Sequence, residues 1–241
     1  MGECETWAIC YVDLGLAMDD SVNTNDLVDE EFEEIEDVDL ESKGVILEEW
    51  MLAASMGPMF DSAQQQMTHD LVLSSLLEER HIHMIISGGV GIGKSTLINA
   101  IAHSAFILFH SNKIVRIMAP TGVAAFNIGG ATIHHELAIS AKRKPSQPYI
   151  YISGDQCRWK QEDFKDTKLI IIDEYNMLGK AMLANIDLRC RNIFATNESF
   201  GGVSIILVGD VRQLPHVFDS PLYSNEGSFY ATMWYTWVFC L

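Results

Sequence analysis

From about residue 80 the chain alternates short, nearly continuous apolar runs with longer stretches whose apolar residues recur at helical spacing. Residues 81–87 (HIHMIIS), 113–119 (KIVRIMA), 168–174 (KLIIIDE) and 203–210 (VSIILVGD) are predicted strands. Each run is apolar on both faces, as parallel strands covered by helices on either side must be. Residues 94–109 and 178–194 have the length and spacing of helices. Strand–helix alternation of this kind predicts a three-layer α/β domain with a parallel sheet. Polar residues gather where the apolar runs end: Gly88 onward after the first, Asp173-Glu174 after the third, and Gly209-Asp210 followed by Arg212 and Gln213 after the fourth.

Charge divides the 241 residues unevenly. The net charge is −17, yet residues 1–50 hold 17 of the 33 acids against one base, Lys43, so that segment carries −16 and the rest is nearly neutral. Residues 19–41 are acid-rich with isolated apolar residues, which predicts a solvated, largely disordered tail over residues 1–50. Globular composition resumes from about Val45, and a domain is expected over residues 55–241. A near-neutral domain does not exclude nucleic acid, because phosphate contacts need a local patch rather than a basic average. Five scattered cysteines (Cys4, Cys10, Cys157, Cys190, Cys240) without a C-x-x-C pair argue against a disulfide framework or a zinc site. No apolar run approaches membrane-helix length. The opening MGECET fits an acylation pattern, but Glu3, Glu5 and the acids that follow would repel an anionic leaflet. No membrane partner is expected.

The first strand runs into GGVGIGKST, which fits G-x-x-x-x-G-K-[ST]. Gly88, Gly89, Val90, Gly91, Ile92, Gly93, Lys94, Ser95 and Thr96 are therefore candidate ATP-binding residues. Glycines let the backbone fold tightly and aim its N–H groups inward, and the following helix adds its positive end. Lys94 is expected on the β- and γ-phosphates, with Ser95 on Mg²⁺. The third strand delivers Asp173 and Glu174 at its tip. Such an Asp can hold Mg²⁺ through water, and the Glu can polarise the attacking water. An acidic pair ending a strand is more often a helix cap; a P-loop in the same chain favours the catalytic reading.

Two stretches narrow the class. APTGVAAFNIGGATIHHEL (119–137) follows the second strand, and VGDVRQLPHV (208–217) ends the fourth. They closely resemble superfamily 1 DNA helicases of the PIF-one type (petite integration frequency), whose pattern reads A-P-T-G-x-A-A-x-N-I-G-G-x-T-I-H and G-D-x-x-Q-L-P-P-V. FGG (200–202) continues the likeness, and FDSAQQQMTHDLV (60–72) is similar to that family's adenine-reading segment, with Gln64 in the glutamine's place. The likeness covers roughly residues 60–240. It implies a RecA-like P-loop fold and an ATP-driven, 5′-to-3′ DNA helicase acting in repair, recombination or telomere maintenance. It makes Gln213 the γ-phosphate sensor, with Asp210 fixing its loop, and Lys94, Asp173 and Glu174 the other catalytic groups. It also implies single-stranded DNA as partner, along Pro120, Thr121, Gly122, Phe126, Thr132 and His134. Phe126 as core and His134 as a turn residue are the bland alternatives. Tyr175-Asn176, His216 and Ile92 depart from the usual pattern, and Ile92 is expected to crowd the loop.

Family members have two RecA-like lobes, the second supplying arginines to the transferring phosphate. The chain ends 24 residues after Val217 with the aromatic YATMWYTWVFCL. Only the first lobe is expected here, weak alone and completed in cis or in trans. An ATP-binding interaction module or an inactive transposon-derived remnant is the competing reading. A small kinase would leave APTGVAAFNIGG and Gln213 unexplained. The nucleus is the expected compartment, with the mitochondrion as the alternative.

Overall fold

The computed structural model describes residues 8–12 (backbone only), 63–140, 149–210, 213 and 222. The elements are β1 (Ala8–Val12), α1 (Ala63–Leu77), β2 (His83–Ser87), α2 (Lys94–Phe109), β3 (Val115–Ala119), α3 (Gly122–Asn127), β4 (Ala131–Thr132), α4 (Ile133–Glu136), α5 (Gly154–Phe164), β5 (Leu169–Ile172), α6 (Lys180–Phe194) and β6 (Ser204–Gly209). Two 3₁₀ turns, Tyr175–Met177 and Ser199–Gly202, flank α6.

All four predicted strands form, trimmed by a few residues, and the helix over 94–109 has the expected bounds. They build a sheet ordered β1-β2-β6-β5-β3-β4, in which the five strands from β2 to β4 run parallel. The fifth parallel strand is the two-residue β4, too short to leave an apolar run in the sequence. Residues 8–12, within the segment expected to be largely disordered, pair antiparallel with β2, with a bulge between Ile9 and Tyr11. The local stretch AICYV is apolar, and it caps the otherwise open edge of β2. The acidic 19–41 stretch, the basic loop at 142–148 and the aromatic residues 230–239 lie outside the described residues.

Strand alternation divides the interior into two cores. Ile85, Ile170, Ile172, Ile205 and Leu207 face α5 and α6, where Phe164, Leu183 and Ile186 meet them. Met84, Ile86, Leu169, Ile171, Ile206 and Val208 face α1 and α2, against Val72, Leu97, Ile98 and Ile101. Every residue of β5 and β6 is buried. With both faces apolar, the central strands are polar only at their ends. The stripe Gln65, Thr68, His69, Val72, Ser75 and Leu76 buries one side of α1 at helical spacing.

The turn between α3 and β4 is closed by a close backbone approach. Gly129, at φ 63°, ends the helix, and the N–H of Gly130 reaches the carbonyl of Ala125 at 2.9 Å. A Cβ at Gly130 would lie 2.5 Å from the carbonyl oxygen of Ile117 on β3. Gly130→Ala should therefore displace β4 from the sheet and destabilise the chain by about 1–3 kcal/mol, read as a lowered urea midpoint with an unchanged slope.

Candidate nucleotide site and nucleic-acid-facing edge

The carboxyl ends of β2, β5 and β6 lie side by side, and the polar residues singled out in the sequence collect there. The loop after β2 begins with the N–H of Gly88 donating to the carbonyl of Gly209 on β6, at 3.0 Å. Gly88 and Gly89 are buried, whereas Val90 at the tip is 75% exposed. Gly91 and Gly93 take φ of 83° and 82°, the left-handed backbone that the loop needs before α2. Lys94 opens α2 and folds back: its ammonium donates to the carbonyls of Gly88 and Gly89, each at 2.7 Å. Ser95 and Thr96 follow, exposed, in the first turn of α2. Unpaired N–H groups and the helix macrodipole make that turn an anion seat.

Asp173 sits just past β5, its N–H bonded to the carbonyl of Met118 at 2.9 Å. The residue is 6% exposed, and its Oδ1 is buried with no hydrogen-bond donor. Burial pushes its pKa up to about 6; the adjacent Glu174 charge adds to that, while its backbone hydrogen bond and the Lys94 cation oppose it. A buried carboxylate oxygen without a donor is costly unless a cation meets it. Asp173 and the Ser95 hydroxyl therefore fit Mg²⁺, which takes few protein oxygens and shares the rest with phosphate and water. Glu174 adopts φ 52°, a strained conformation for a non-glycine residue. It turns the chain out of the strand and into the 3₁₀ turn of Tyr175–Met177.

The departure Tyr175-Asn176 is explained by packing against the neighbouring strand. A Cβ at Gly209 would lie 2.7 Å from Asn176 Oδ1 and 2.8 Å from Tyr175 Cδ1, so the pair closes directly on bare backbone. Asp210 is buried, and its carbonyl accepts the N–H of Gln213 at 3.0 Å, forming a tight turn off β6. Gln213 is half-buried there. Acid pair, P-loop and glutamine turn thus mount on three adjacent strands.

Gln64, the glutamine expected at the adenine, is exposed, and its neighbour Gln65 is the residue that packs against the loop. Its Nε2 donates to the carbonyl of Ile92 at 2.8 Å and occupies the space a Cβ at Gly93 would take. Helical geometry decides this, since Gln65 falls on the stripe with Thr68, His69 and Val72 and Gln64 does not. That stripe was the signal in the sequence that could have found it. The contact also gives Ile92 an anchored backbone.

Pro120, Thr121, Gly122, Phe126, Thr132 and His134 come together at the β3–β4 edge. Thr121 and Thr132 are helix caps, their hydroxyl oxygens accepting the N–H of Ala124 (3.2 Å) and His135 (3.3 Å). Each hydroxyl keeps its proton to donate elsewhere. Phe126 is half exposed beside Val123, which corrects the core alternative for it; His134 is half-buried and Gly122 exposed. Sequence reasoning missed Asp187 on α6. Fully buried, it accepts the N–H of Phe200 at 2.6 Å and pairs with Arg191 at 2.8 Å, holding the FGG turn in front of β6. Phe200 takes φ 49° there.

A parallel sheet with a P-loop, an acidic pair and a glutamine turn on adjoining strand tips defines a RecA-like P-loop fold. The model of the PIF1-like helicase family matches residues 60–240, and the chain belongs to that family. It is 30% identical over 172 residues to the ATP-dependent DNA helicase RRM3 of Saccharomyces cerevisiae, covering 65% of this chain and 22% of that protein. It is likewise 30% identical over 169 residues to the ATP-dependent DNA helicase PIF1 of Candida albicans, covering 68% of this chain and 17% of that protein. Pif1 from Bacteroides sp. in complex with ADP-AlF4 matches with a TM-score of 0.53 and 30% identity, over 66% of this chain and 34% of that one. Bacteroides Pif1 bound to ssDNA matches with a TM-score of 0.51 and 31% identity, again over 66% and 34%. The chain spans less than a quarter of these two curated relatives and about a third of the solved chains.

Two outcomes follow from the site's geometry. Asp173 holds its proton to about pH 6 when folded and to about 3.8 when unfolded, so the ligand-free chain should lose stability as pH rises between those values. Asp173→Asn should accordingly raise the ligand-free melting temperature at pH 7, by up to about 3 kcal/mol of stability, and abolish further stabilisation by Mg²⁺ with an ATP analogue. Gln65→Ala should cost about 1–2 kcal/mol and Gln64→Ala less than about 0.5 kcal/mol, compared by urea unfolding.

Proposed function

We propose that this chain is the first motor lobe of an ATP-dependent DNA helicase, coupling ATP hydrolysis to movement along single-stranded DNA. One observation carries the reading: a P-loop lysine and a buried, donorless Asp173 oxygen share one edge of the sheet with the Gln213 turn, beside the Thr121–His134 stretch with its exposed Phe126. Lys94 leaves the Gly88 and Gly89 carbonyls for the β- and γ-phosphates, which are stronger acceptors. The first turn of α2 cradles the phosphates, and Gln65 keeps the loop in shape from α1. Mg²⁺, seated by Ser95 and Asp173, supplies charge neutralisation on the phosphates when bound. Glu174 orients the attacking water from the turn that follows Asp173. Gln213 reads the γ-phosphate, and the Asp210 carbonyl transmits its movement to β6.

Single-stranded DNA lies along the β3–β4 edge, with the Thr121 and Thr132 hydroxyls donating to phosphates and Phe126 offering a face to a base. A second lobe, in cis or in trans, completes the ATP cleft and supplies arginine; such a residue is worth about 10³–10⁵ in rate. By kinship the motor moves 5′ to 3′ and serves repair, recombination or telomere maintenance in the nucleus, with the mitochondrion as alternative.

Purified chain should hydrolyse ATP slowly, faster with single-stranded DNA, and Lys94→Ala should abolish both rates. A wild-type rate that DNA leaves unchanged would overturn the motor reading in favour of an ATP-binding interaction module.

A further inference from the structure

Behind the β3–β4 edge lies a cluster of charges that the nucleotide chemistry does not use. Arg116 on β3 donates through Nη1 to Glu136 Oε1 at 2.7 Å and through Nε to Thr167 Oγ1 at 3.3 Å. Its Nη2 donates to the main-chain carbonyl of Asp163 and lies 3.2 Å from that residue's carboxylate. Lys160, on α5, donates to the main-chain carbonyl of the same Glu136, at 2.6 Å. Beneath both cations is the buried ring of Phe164, 4.4 Å from the Arg116 guanidinium and 5.5 Å from the Lys160 ammonium. The Arg116 and Glu136 side chains are only 15% and 14% exposed, so the pair is largely withdrawn from water. Groups this buried persist only when fully hydrogen-bonded, and breaking one partner leaves the other stranded.

Glu136 is the last residue of α4, a helix of four residues. One turn has no stability of its own, so tertiary contacts must decide where it sits. Its N-terminal end is fixed by the Thr132 cap and by buried Ile133. Its C-terminal end is fixed by two cations on one residue, Arg116 on the carboxylate and Lys160 on the carbonyl. Between those anchors is His134.

We propose that Arg116 and Lys160 form a two-cation clamp on Glu136 that positions the α4 turn, and with it Thr132 and His134, for single-stranded DNA. Glu136, Arg116 and Lys160 are positioning residues: they act through the turn and need not touch nucleic acid. The proposal rests on the DNA-facing reading of residues 120–134 given above.

The sign of one substitution tests it. Glu136→Gln is isosteric and removes a negative charge beside the DNA edge, so simple electrostatics would tighten single-strand binding. Loss of the clamp weakens it. The full chain and its Glu136→Gln and Lys160→Met variants are titrated into labelled oligothymidine, and amide exchange is followed over residues 133–138 and 94–109. Expected are faster exchange at 133–138 in both variants, unchanged exchange at 94–109, and an oligothymidine affinity about five- to tenfold weaker for Glu136→Gln. Unchanged exchange at 133–138 would overturn the clamp itself. Faster exchange with equal or tighter DNA binding would overturn its role on DNA. Absence of oligothymidine binding by the wild-type chain would instead overturn the DNA-facing reading, together with the part of this inference that depends on it.

Discussion

The rest of the molecule depends on β2, β6 and β5 being covered on both faces. Ile85 and Ile86, Ile171 and Ile172, and Ile206 and Leu207 point alternately into two separate cores. A strand buried in this way has nowhere along its length for a polar side chain. Chemistry is confined to the strand ends, and parallel direction puts all the carboxyl ends at one edge. Gly88, Asp173 and Asp210 meet there because each is the first residue past an apolar run. The hydrogen bond from Gly88 to Gly209 and the packing of Tyr175-Asn176 on Gly209 lock the three tips together.

That edge is built at a cost to the ligand-free fold. Asp173 is held in a desolvated place beside another acid, and Glu174 in a strained backbone conformation. Both features weaken the chain by itself. Lys94, resting on two loop carbonyls, keeps the loop folded and gives its charge polar partners. Linkage makes any ligand that relieves these costs a stabiliser of the fold.

The opposite problem is solved at the β3–β4 edge. Two very short helices, α3 and α4, have little intrinsic stability, and both begin with a threonine cap. The turn after α3 is secured by Gly130 against Ile117, and the end of α4 by charges reaching from β3 and α5. Short, individually weak elements thus hold a defined surface because side chains from distant parts of the chain converge on them. Asp187 does the same for the FGG turn, which lies 13 residues away in sequence.

The sequence by itself determined four of the six strands, the helix over 94–109, the parallel three-layer class, the P-loop and the placing of Asp173-Glu174 at a strand tip. Those properties are local: apolar runs, helical spacing and motif order survive in one dimension. The tertiary structure alone decided what depends on facing and on long-range pairing. Adjacent glutamines 64 and 65 are chemically identical, and only the rotation of α1 against the loop separates the exposed one from the one bonded to Ile92. That Thr121 and Thr132 are also helix caps could not be read from the sequence, because the N–H each accepts lies three residues on in a helix whose start must first be known. Residues 8–12 sit in an acidic segment, and their strand exists only through β2. Arg116 looks like an interruption of an apolar run, yet it folds back onto Glu136, 20 residues away, and Asp163, 47 residues away. Contacts across such separations are set by the sheet order, which no stretch of the chain records.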